Sequence, residues 1–98
     1  MPQAVENLTQ LVGTIVARQP HPQLRDFDTV TIVTEHAEAV EGKANLLAVS
    51  PGARLEVAVR RALLGTAAAG TRLHFRAKRT LDGAMAEPHP EPGNFRIG

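Results

Sequence analysis

Apolar and polar residues alternate along several stretches of this chain, and a two-residue period marks strands with one buried face. Arg54–Arg60 is the cleanest case. Leu55, Val57 and Val59 fall on one side, and Arg54, Glu56, Ala58 and Arg60 on the other. Thr71–Arg79 repeats the pattern, with Leu73, Phe75 and Ala77 inward and Arg72, His74, Arg76 and Lys78 outward. Phe27–Thr34 (FDTVTIVT) is dense in β-branched residues and predicts a strand, with Phe27 reading as core. Leu8–Arg18 (LTQLVGTIVAR) carries Gly13 at its centre. Glycine and the β-branched run disfavour a helix there, so the segment predicts a strand with a bulge or sharp bend. Ala84–Glu87 predicts a last short strand.

The intervening segments read as connections. Gln19–Asp26 contains two prolines and predicts a loop, and Pro51-Gly52 predicts a tight turn. Arg61–Ala69 predicts a short helical segment interrupted by Gly65 and closed by Gly70. Asp82-Gly83 predicts a hairpin turn, since glycine supplies a positive φ. Glu35–Lys43 is compatible with strand, helical turn or loop, and Ala44–Ser50 with strand or helix. Residues 1–7 carry no pattern and read as a terminus or a lead-in turn. Glu87–Pro92 (EPHPEP) has three prolines, which exclude helix and sheet-centre pairing and favour an extended, polyproline-like run. Beyond it, Phe95 and Ile97 suit a tail that docks on its own domain or on a partner; a disordered end is the alternative.

Five strands with the single helical segment between the third and fourth is an order that resembles the OB-fold, a small Greek-key barrel. The resemblance covers roughly residues 8 to 87 and lies in strand order and spacing; an SH3-like barrel or an open meander would give similar signals. The expectation is a mainly β domain over residues 1–86, a five-stranded OB-like barrel, followed by a proline-rich arm over residues 87–98.

Composition narrows the chemistry. At 98 residues the chain makes one domain. Only 3% of residues are aromatic, and all of these are phenylalanine, so the core must be aliphatic and the usual base-stacking side chains are scarce. The absence of cysteine excludes a disulfide framework, a cysteine-ligated zinc and a thiol nucleophile. No basic segment followed by an apolar run suggests a signal peptide, and no apolar stretch approaches the roughly 20 residues of a membrane helix. A cytoplasmic protein without membrane contact is expected.

Net charge is only +1, but it is unevenly placed. From Asp26 to Glu41 there are five acids and no Lys or Arg; from Arg54 to Arg79 there are seven Lys or Arg and one acid, Glu56. Either these segments pair across the surface, or the cations form a binding face. In the second case Arg54, Arg60, Arg72, His74, Arg76, Lys78 and Arg79 would form one patch, provided their strands are neighbours. Such a patch suits a polyanion, above all single-stranded nucleic acid. The competing reading is an assembly domain, pairing with a second copy or a larger protein through an edge strand or through Phe95 and Ile97 of the arm.

Other chemistry has weaker support. Glu35, His36 and Glu38 would offer at most a weak divalent site, and Asp26 and Asp28 read as solvated. No phosphate-loop, dinucleotide or nucleophile-elbow motif occurs. No catalytic residue, metal or cofactor is therefore expected, and the domain reads as a non-catalytic binding module.

Overall fold

The computed structural model of the chain describes residues 6–47, 49–81 and 83–98. Its elements are β1 (Thr9–Pro20), β2 (Phe27–Ala39), β3 (Arg54–Arg60), α1 (Arg61–Leu64), β4 (Arg72–Thr80), β5 (Gly83–Ala86) and β6 (Arg96–Ile97). The sheet runs β1-β2-β3-β5-β4 and closes through a β1–β4 pairing, with β6 added to β4. The result is a closed, mixed five-stranded barrel, compatible with the expected OB-like barrel, with its one short helix between β3 and β4. That helix spans only four residues and is no membrane span; among the described residues no helix is long and apolar enough to cross a membrane.

Closure depends on β1. Its whole length pairs with β2, from Thr9↔Ala39 to Pro20↔Asp28, while its first half pairs with β4 on the other edge, from Thr9↔Ala77 to Thr14↔Arg72. A strand that closes a small barrel must coil, and β1 carries register shifts at Val12/Gly13 and Ile15/Ala17. Gly13 lies at the first shift. A Cβ there would sit 2.9 Å from both Ile32 Cδ1 and the Val33 carbonyl oxygen, so glycine is required by close approach.

Alternation builds the core. Leu11 and Ile15 of β1, Val30 and Ile32 of β2, Val57 and Val59 of β3, and Leu73 and Phe75 of β4 all face inward and are buried. Each such side chain contributes about 1.5–3 kcal/mol by leaving water. Ala77 of β4, Ala84 and Ala86 of β5, Leu64 of α1 and Leu47 join the same cluster. β3 and β5 are parallel and meet at a single register pair, Ala58↔Met85.

Of the alternatives open for Glu35–Lys43, strand holds as far as Ala39, where β2 ends. Other expectations need correction. The described part of Ala44–Ser50 is neither strand nor helix, apart from an isolated Asn7↔Ala44 bridge. Phe27 is half-buried on the outer face opposite Arg60, because the inward parity of β2 belongs to Asp28, Val30, Ile32 and Thr34. Asp28 is buried rather than solvated. The helical segment forms as expected, as a single turn that ends at Leu64 before Gly65. The Pro51-Gly52 turn forms as expected: the Ala53 amide donates to the Ser50 carbonyl at 3.0 Å, and Gly52 takes φ 88°, which glycine tolerates at the third position of such a turn. Residues 1–5 and Asp82 of the expected hairpin turn lie outside the described residues.

Candidate nucleic-acid interface

One arginine of the basic segment serves the fold. Arg61 Nε donates to Asp28 Oδ1 at 2.9 Å, and Arg18 Nε to Asp28 Oδ2 at 2.8 Å. Arg18 also donates through Nη1 to the carbonyls of Gly65 at 2.9 Å and Ala67 at 2.6 Å. Burial pushes the Asp28 carboxyl up, but the two arginines, through hydrogen bonds and charge, outweigh this and hold it below its ordinary value. This knot ties β1 and β2 to the segment between β3 and β4.

The outward row of β4 is the main concentration of cations. Inward Leu73, Phe75 and Ala77 fix the strand's orientation, so Arg72, His74, Arg76 and Lys78 must project outward at alternate positions. Arg72 Nε donates to Glu35 Oε2 of β2 at 2.8 Å, one of the cross-strand pairs that segregated charge suggested. Arg76 Nε donates to Gln10 Oε1 at 3.1 Å, a neutral partner that leaves its charge uncompensated. Among the described residues Lys78 and Arg79 form no ion pair. Arg79 is held through its backbone: its amide donates to Asn7 Oδ1 at 2.6 Å, and Asn7 Nδ2 donates to its carbonyl at 3.3 Å.

Sequence reasoning missed a further member, Arg96. β6 pairs His74 with Arg96 and Leu73 with Ile97, which sets Arg96 Nη2 3.4 Å from His74 Nδ1. Its signal lay in the Phe95-Arg96-Ile97 alternation, because if the two apolar residues turn toward the barrel the arginine turns away. Phe95 does so: its ring lies 6.3 Å from that of Phe75, tilted by 45°. Ile97 remains half exposed.

The single patch proposed from sequence does not form. It required β3 and β4 to be neighbours, and β5 lies between them. Arg54 stands at the start of β3 opposite Val33, away from the β4 row. Arg60 stands at the other end of β3 and contacts His89 Nδ1 through Nη1 at 2.8 Å. The structure therefore groups Arg72, His74, Arg76, Lys78 and Arg79 on one strand, adds Arg96, and leaves Arg54 and Arg60 apart.

Two concavities flank these elements. One, of about 700 Å³, is lined by Lys78 and Arg79 together with Lys43, Glu6, Glu87 and His89. There Lys43, by hydrogen bond and charge, holds the Glu6 carboxyl below its ordinary value. The other, of about 500 Å³, lies between the β1–β2 loop and the outer face of β2, β3 and β5, lined by Leu24, Thr29, Glu56, Ala58 and Met85 among others. Its lining includes one acid, Glu56, and one imidazole, His21, but no Lys or Arg, so the lysines and arginines are gathered elsewhere.

Glu35 is engaged by Arg72, and among the described residues no group of three or more His, Asp or Glu side chains is placed to hold a metal ion. Compared with known protein families, curated proteins and solved structures, the chain matches none of them.

Proposed function

We propose that this domain is a non-catalytic binding module that holds a polyanion, single-stranded nucleic acid, along the outer row of β4. One observation carries the reading: Arg72, His74, Arg76 and Lys78 project outward at alternate positions of β4, and the arm sets Arg96 of β6 beside His74. Alternate residues on a strand lie about 6.6–6.8 Å apart, comparable with the spacing of phosphates along an extended single strand. The neighbouring ridge of β1 presents Gln10, Val12 and Thr14, which carry no charge to repel phosphate; Gln10 holds Arg76 by one neutral hydrogen bond, and Glu35 of β2 holds Arg72, which phosphate would have to displace. With no aromatic side chain in the row, attraction would come from phosphates, with arginine planes available to stack on bases.

Binding measured by fluorescence anisotropy with a labelled single-stranded oligonucleotide tests this. If about four phosphates are neutralised, the logarithm of affinity falls with a slope of about −2.8 against the logarithm of salt, or about 50-fold between 50 and 200 mM. Arg76→Glu with Lys78→Glu should abolish binding. No binding at low salt, or binding indifferent to salt and to the double reversal, contradicts the reading. A second reading, an assembly domain, has one observation in its favour: the arm fills an edge of β4 that β5 leaves open.

A further inference from the structure

β5 and β6 share one edge of β4. β5 covers Ala77–Thr80, and β6 covers Leu73 and His74. Ala77 pairs with Ala86, whereas Leu73, four residues earlier, pairs with Ile97, eleven residues later, so seven residues are looped out of an otherwise continuous edge. The excursion contains Pro88, Pro90, Pro92 and Gly93. The returning segment is lightly held. It makes two register pairs, a Gly98 amide bond to the Arg72 carbonyl at 2.7 Å, the Arg96–His74 contact at 3.4 Å, and the packing of Phe95 against Phe75 and the core. Arg96 and Ile97 are both exposed.

The excursion joins an extended run to one turn: Pro92-Gly93 reverses the chain, with the Asn94 amide donating to the Glu91 carbonyl at 3.0 Å and Gly93 at φ 89°. Proline fixes φ near −65°, and the residue before proline is pushed to extended conformations. Glu87–Pro92 alternates the two, so each of its residues is biased toward extension. The nine residues from Glu87 to Phe95, if extended as polyproline II, span about 28 Å at ~3.1 Å each. The two shorter dimensions of the molecule are 29 and 26 Å. The segment is thus long enough to reach a second barrel. Every contact the Phe95–Gly98 segment makes on its own β4 would be reproduced on the β4 of a second copy, so the exchange differs in the linker, where the Glu91–Asn94 turn opens as the hinge, and in the entropy of association.

We propose that residues 87–98 are an exchangeable arm, and that two copies form a reciprocal dimer in which the Phe95–Gly98 segment of each docks on the β4 edge of the other. The exchange stands on the register and the prolines alone. One consequence rests on the polyanion reading: each cationic row would then be completed by Arg96 from the second copy.

The absence of cysteine makes the test clean. His74 and Arg96 are directly paired, and such pairs have Cα atoms about 5.5 Å apart, within disulfide range. A His74→Cys chain and an Arg96→Cys chain are mixed at high concentration and oxidised. The exchange predicts a mixed disulfide-linked dimer in excess of either self-linked dimer, and in the doubly substituted chain a linked dimer whose share rises with concentration. Closure only within single chains at every concentration overturns it. Sedimentation equilibrium of the unsubstituted chain provides a readout independent of cysteine. A dimer is expected, weakened about tenfold by Pro88→Gly with Pro90→Gly, which relaxes the linker outside the Glu91–Asn94 turn; a monomer at every concentration overturns the proposal. Salt-dependent oligonucleotide binding by a monomer would sink the exchange and leave the polyanion reading standing, and a dimer that ignores oligonucleotides would do the reverse.

Discussion

Asp28→Asn removes the charge at the centre of the Arg18–Asp28–Arg61 knot while keeping nearly the same shape. The Asp28 side chain is 7% exposed, that of Arg18 is 19% exposed and that of Arg61 is 48% exposed. Removing one partner of a fully buried ion pair costs about 3–5 kcal/mol, because the other charge stays buried and uncompensated. Here the penalty is smaller. Arg61 is half in water and screened, and Arg18 retains the carbonyls of Gly65 and Ala67. A loss of about 2–3 kcal/mol is expected. For a domain of this size that lowers the melting temperature by about 10–20 °C. The chain has no Trp or Tyr, so unfolding is followed by far-ultraviolet circular dichroism, in urea and on heating. The pH dependence follows from the lowered carboxyl value in the folded state. The stabilisation is fully present above the unfolded carboxyl's ordinary range and is lost as pH falls through the lower folded value. The gap between the original chain and Asp28→Asn should therefore be constant from neutrality to about pH 5 and close below about pH 4. A variant within about 0.5 kcal/mol of the original, or a gap that widens on acidification, refutes the argument.

Two further substitutions probe the barrel. Gly13→Ala forces a Cβ against the Val33 carbonyl and Ile32, so a loss of about 1–3 kcal/mol is expected in urea unfolding; an unchanged midpoint would show that β1 does not need the close approach. Thr34 Oγ1 is buried and has no hydrogen-bond partner among the described residues. Thr34→Val should thus stabilise by about 1 kcal/mol, and a destabilised variant would mean that the hydroxyl is satisfied in solution.

The features legible in the sequence were those written locally. Strict alternation placed β3 and β4, the central glycine marked the bulge in β1, and the proline-glycine pair placed its turn. Features that depend on distant partners were not legible. Asp28 looked like a solvated acid because Arg18 and Arg61, which make its burial tolerable, lie 10 and 33 residues away. Phe27 looked like core because its outward parity is set by the rest of β2. The cationic patch was drawn too wide because nothing local reveals that β5 inserts between β3 and β4. Arg96 was missed because its place depends on how the arm returns, and that is decided by Phe95 meeting Phe75.

Backbone amide shifts of the labelled protein, recorded while a single-stranded oligonucleotide is added at low salt, test the central claim most directly. The account predicts perturbations along Arg72–Arg79 and at Arg96, with Thr29, Thr31 and Glu56 on the β2–β3 face unmoved. Perturbations confined to that face, or none at all, would contradict it.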